Sequence, residues 1–177
     1  MRKLQRALPL PLTLKKSRKN SNKDLFQTFY RVVLEMPIIE SLQSFIATCP
    51  ALNAFADLHV DGLEPGAVNY SIDTLPGARI LTQDLVGNKT REFPFALTSR
   101  EAAVDDLARI ANSGFYGDFA DWLEEQTDLD NLPDLGTNRT VESIEATSWG
   151  YLYQRDENDQ TAIYQIICKM AYTDWKG

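Results

Sequence analysis

Between Thr140 and Tyr172 the chain reads TVESIEATSWGYLYQRDENDQTAIYQIICKMAY. Two apolar runs, rich in β-branched and aromatic residues, flank a charged knot. In the second run Tyr164, Ile166, Cys168, Met170 and Tyr172 recur at every other position. That period of two puts them on one face of a strand. The stretch predicts a long β-hairpin with its turn near Asp156 to Gln160. A hairpin this heavy is expected to belong to a sheet, and the sheet to an assembly.

The preceding chain supplies partners for it. Residues 37–48 predict a helix, with Ile38, Ile39, Leu42, Phe45 and Ile46 at three- and four-residue steps, Pro37 at the first position and Pro50 closing it. Residues 57–61 predict a short strand. Residues 67–73 alternate Val68, Tyr70 and Ile72 with polar side chains, as a half-buried strand does. "LPG" at 75–77 is a turn. "ARILTQDLVGNKTREFPFALTS" then predicts a hairpin around Gly87-Asn88, its second strand at an edge or bulged where Pro94 lacks a donor. Thr98 and Glu101 match a capping box ahead of a helix with Val104, Leu107, Ile110 and Ala111 as its stripe. "NSG" at 112–114 predicts that helix's end. Phe115, Phe119, Trp122 and Leu123 mark a second helix to about Gln126, so the two form a helical hairpin. The grouped helices and meandering strands predict an α+β fold. Its sheet is expected to be mostly antiparallel, of about five to six strands, with the N-terminal helix and the helical hairpin on one face.

Charge divides the chain. Residues 1–35 carry nine Lys or Arg and two acids, a net +7, whereas residues 36–177 carry −14. The first segment is expected to be a basic extension, either a disordered arm able to bind nucleic acid or a stretch upstream of a true start at Met36. "ALPLPLTL" is a poor secretion signal. Residues 36–177 are expected to form a single domain. No run of about 18 apolar residues predicts a transmembrane helix. Cys49 and Cys168 are too few for a disulfide framework and point to a reducing compartment.

Catalytic residues are hard to find. His59 is the single histidine, and neither cysteine has a second group to activate it. Asp128, Asp130 and Asp134 crowd one loop, but Leu132 and Pro133 break the calcium-loop pattern. Gly87 to Thr90 echoes a phosphate-binding loop without its upstream glycine. Glu124-Glu125 and Asp105-Asp106 read as solvated helix faces rather than a glycosidase pair. Asn69, Asn88 and Asn138 head sequons, with nothing else arguing for secretion. No catalytic, cofactor or metal residues are assigned. The candidate surface is the polar hairpin tip and its flanks, Leu85, Val86, Gly87, Asn88, Lys89 and Arg91, expected to contact other subunits.

"FALTSREA", "NSGFYGDFADWLEEQTDLDNLPDL" and "VESIEATSWGYLYQRDENDQTAIYQIICKMAY" together resemble the minor capsid protein family of long-tailed phages and prophages of Firmicutes. The likeness runs from about Met36 to Tyr172. The family is similar to tail terminator proteins, which implies a non-enzymatic subunit of a head–tail joining ring, commonly six-fold. Implied partners are copies of itself, the tail tube protein and the head–tail connector. DNA passes through without specific binding, no membrane is involved, and no cofactor is carried over. The implied location is the virion, after assembly in the bacterial cytoplasm. Two alternatives stand beside it: an accessory DNA-binding protein acting through the basic arm, and a small carboxylate-dependent hydrolase with two acids of opposed pKa in one pocket.

Overall fold

The computed structural model describes residues 37–54, 56–66, 68–103, 105–156 and 160–177, without the side chains of residues 107 and 109. The expectations for residues 1–35, Met36 and Val104 lie outside them. The described elements run α1 (Ile38–Ile46), β1 (Leu58–Val60), β2 (Asn69–Thr74), β3 (Thr82–Gln83), β4 (Lys89–Ala102), α2 (Asp106–Asp128), β5 (Arg139–Ala146), β6 (Tyr151–Arg155) and β7 (Thr161–Asp174). The fold is α+β. One seven-stranded sheet has the order β1-β2-β4-β7-β5, with β3 also on β4 and β6 also on β7. Its described pairs are antiparallel except β1–β2, which is parallel.

β4 and β7 form the spine. They pair over fourteen positions, from Lys89↔Asp174 to Ala102↔Thr161. The alternation in β7 does what its period predicts: Ala162, Tyr164, Ile166, Cys168, Met170 and Tyr172 are buried. Opposite them on β4 stand Phe95, Leu97 and Ser99, and β2 adds Tyr70 and Ile72 to the same face. α1 covers this face with Leu42 and Ile46, and α2 with Tyr116, Phe119 and Leu123. Trp122 ties the helices together, its ring 5.0 Å from Phe45 on α1 and 6.0 Å from Phe119. Each such apolar side chain contributes about 1.5–3 kcal/mol when fully buried.

The other face mixes Ala96, Ile163 and Ile167 with polar side chains, and a chain of hydrogen bonds crosses four strands of it. The Gly62 N–H donates to Ser71 Oγ (3.0 Å), and Ser71 donates to Asp73 (2.6 Å). Thr98 donates to the other Asp73 oxygen (2.5 Å), Gln165 donates to Thr98 (3.0 Å), and Tyr151 donates to Gln165 (2.5 Å).

Four expectations need correction. The Thr98–Glu101 capping box lies inside β4. The α2 N-cap is Asp105, whose carboxylate accepts the Ala108 N–H at 2.8 Å. The helical hairpin is one 23-residue helix. Asn112 does not cap; its amide donates to the Ala102 carbonyl (3.0 Å). The helix ends instead where Asp130 takes φ 55° and the Asn131 N–H reaches back to the Gln126 carbonyl. Ile110 and Ala111 form no buried stripe; both are exposed, and among the described side chains the buried positions of α2 lie from Tyr116 onward. Finally, Pro94 lies in a central strand without a bulge there. Its carbonyl accepts the Leu75 N–H, so its nitrogen faces the gap that opens where β2 stops at Thr74, and no ladder donor is missed.

The first arm of the C-terminal hairpin is split into β5 and β6, which follow one another along β7. In the gap Thr147 and Ser148 both donate to the Ile167 carbonyl, and Ser148 Oγ accepts the Ile167 N–H (2.9 Å). Gly150 then passes so close to α2 that a Cβ there would lie 2.4 Å from Tyr116 Cβ.

Candidate functional site

The hairpin tip is built by one carboxylate. Asp84 Oδ1 accepts the N–H groups of Val86 (2.9 Å), Gly87 (2.7 Å) and Asn88 (2.9 Å), while Oδ2 accepts the Asn88 side-chain amide (2.7 Å). Slight desolvation works to raise the Asp84 carboxyl, but these four bonds prevail and hold it below its usual range. Gly87 supplies the left-handed φ of 99° that the turn requires. The Lys176 N–H donates to Asn88 Oδ1 at 3.0 Å, docking the tip on the chain beyond β7. The turn therefore holds its shape without help from the side chains of Leu85 and Val86. Both stand in solvent, Leu85 fully exposed and Val86 at 69%.

The six expected interface residues thus divide. Leu85 and Val86 project outward, and Gly87 and Asn88 shape the turn. Gly87 and Lys89 line a recess of about 360 Å³ with Gln83, Asp174, Trp175 and Lys176. Arg91 belongs to the protein's own frame, its Nε bonded to Asp174 at 2.9 Å.

A second apolar surface lies on and before β6, where Trp149 is 85% and Tyr153 61% exposed, with Tyr151 and Leu152 also open. Sequence reasoning placed these residues in a hairpin arm and missed them as a surface. The available signal was the run Trp-Gly-Tyr-Leu-Tyr itself, apolar on both faces of a strand where alternation was due. β6 pairs with Ala162–Gln165 of β7, whereas the β3–β4 tip sits beside Thr173 and Asp174. Nine residues from Gln165 to Asp174 make about 30 Å of strand. The two apolar surfaces are at opposite ends of the sheet.

The edges between them are guarded. Gln43 Nε2 donates to the Leu58 carbonyl on β1 (2.6 Å). Thr127 of α2 bonds both backbone groups of Ile144 on β5, donating at 2.8 Å and accepting at 3.1 Å. Side chains that engage an edge in this way block addition of a further strand.

Near the end of β4 Glu101, Tyr70, Tyr116 and Cys49 lie close enough to act on one another, Tyr70 and Tyr116 being raised chiefly by burial and in part by Glu101. Burial pushes the Glu101 carboxyl up to about 7, with the Ser99 hydroxyl pulling the other way. Ser99 is also bonded to the buried Tyr116 hydroxyl at 2.8 Å, so this carboxyl belongs to the packed junction of β4 and α2. Asp156 is held below its usual range, chiefly by Thr161 and also by Arg100 at 2.5 Å. Arg100 and Glu101 are neighbours on β4 and point to opposite faces, so the two carboxyls with opposed shifts do not share a pocket. Burial raises both thiols, Cys49 and Cys168, which are free and buried. His59 is half-buried on β1 opposite Ser71. Asp134 accepts the Gly136 N–H (2.9 Å). Among the described residues no three His, Cys, Asp or Glu side chains are grouped to hold a metal, and no described helix is long and apolar enough to cross a membrane. A scan against protein-family models and a search of curated proteins return no match for the chain.

Proposed function

We propose that this chain is a structural ring subunit of a phage or prophage particle, acting as a tail terminator where head and tail join. The observation that carries the reading is the pair of unlike apolar surfaces at opposite ends of one sheet: the Leu85–Val86 tip and the aromatic β6 region. A ring subunit that must contact its own copies and also an unlike partner, tube or connector, needs two such unlike surfaces. The likeness of the helix and C-terminal strands to phage minor capsid proteins supports the same role. The acidic body would let DNA pass without sticking, because like charge repels phosphate. On this reading the protein assembles in the host cytoplasm as a ring, six-fold by the same likeness, and leaves in the virion.

A phage lacking the protein is expected to fill its heads and to polymerise tube protein, but not to join the two. Its tails should vary in length, and purified protein should restore joining in extracts. Electron microscopy of the mutant lysate checks this; uniform tails attached to heads would refute it.

A further inference from the structure

We propose that the Leu85–Val86 tip of one copy seats in a recess between α1 and β1 of a second copy, so that the chain associates head to tail. The inference rests on the self-associating reading above and names its contact. The recess measures about 600 Å³; Ala47, Pro50, Leu52, Ala54 and Leu58 supply its apolar wall, and Gln43, Ser44, Asn53 and Asp57 give it a polar wall of similar extent. That volume lies within the ~300–1,000 Å³ of sites that enclose small, mostly apolar groups. Two aliphatic side chains on a turn of fixed shape are such a group, and their fixed shape lowers the entropy lost on docking.

Charge agrees with the fit. Lys89 and Lys176 flank the tip, and Asp57 is the charged residue in the lining of the recess among those described. The tip's own acid, Asp84, is already engaged by four hydrogen bonds.

Register rules out closure within one copy. The recess is anchored where the Asn53 N–H donates to the Tyr70 hydroxyl (3.3 Å), and Tyr70 pairs with Ser99. Ser99 stands ten residues along β4 from Lys89, about 33 Å of strand. Knob and hole therefore sit at opposite ends of the subunit. Their union is heterologous: each copy that fills a hole offers a knob, and the series closes as a ring if the rotation allows.

Two variants test the contact in the full-length protein. Leu85→Asp with Val86→Asp spoils the knob at exposed positions, and Ala54→Trp fills the hole from an exposed loop position. Near-ultraviolet circular dichroism verifies that both fold. In sedimentation velocity the wild type is expected to form oligomers. Each variant alone should associate at least roughly tenfold more weakly, as loss of a central anchor does. An equimolar mixture should stop at dimers, because the intact knob of one variant meets the intact hole of the other and nothing is left to propagate. If either variant alone assembles like the wild type, the contact is wrong while self-association stands. A mixture that stays monomeric also overturns it, and gives the recess to another occupant. A wild type that stays monomeric at every concentration overturns it too, and the extract assay then decides the ring reading independently.

Discussion

At Glu101 the fold keeps a proton that the unfolded chain gives up. Its carboxyl is raised by burial to about 7 from an ordinary 4.5. Between those two values the folded state binds more protons than the unfolded state, so stability falls as pH rises through the window and is fully retained below it. Urea unfolding across that range should show the decline, and Glu101→Gln should flatten it; an unchanged slope in the variant would assign the effect elsewhere. Gly150 tests packing instead. A methyl there meets Tyr116 Cβ at 2.4 Å, so Gly150→Ala is expected to cost about 1–3 kcal/mol by thermal unfolding. Neither role was legible in the sequence. Gly150 and Tyr116 are far apart in the chain, and Glu101 read as the last residue of a capping box. Both roles come from neighbours brought in by the sheet, and a local motif carries no information about those.

The elements that sequence reasoning found are those whose pattern is repeated and local. β7 was legible because five apolar side chains keep a period of two, and α1 because its stripe keeps helical spacing. The helical hairpin failed because Asn-Ser-Gly was read as a stop. A stop requires a left-handed residue after it, and Gly114 lies within α2 with open space around its Cα. Gly114→Ala is therefore expected to stabilise the protein by about 0.5–1 kcal/mol, the cost of glycine in a helix interior. Loss of stability would mean that the chain turns there. Asp105→Ala should cost about 1 kcal/mol through the lost cap, seen as a lower melting temperature. The candidate site was half legible. A polar tip with apolar flanks announces itself, but Asp84, which builds it, lies outside the expected six. Asp84→Ala should loosen the turn and weaken assembly while the melting temperature barely moves, since the tip is exposed. Acid should do the same to the wild type only as pH falls below the usual carboxylate range, because the folded carboxyl is held low.

For the whole molecule the governing fact is that β7 is bonded on both sides along its length, by β4 on one edge and by β5 and then β6 on the other. It is also the last of the described strands in chain order. On the ribosome, then, β4 must wait for its main partner. From Ala102 to Asp174 the chain grows for on the order of ten seconds at ~5–20 residues per second. Throughout that interval Phe95 and Leu97 have no strand beside them on that edge, and a nascent chain in this condition invites chaperones or aggregation. The pairs among β1 to β4 need nothing from β7, but the β4, β5 and β6 edges that β7 joins are completed only at the end. A stop codon just before Thr161 should therefore yield insoluble, rapidly degraded product instead of a trimmed fold, although only the final seventeen residues are lost.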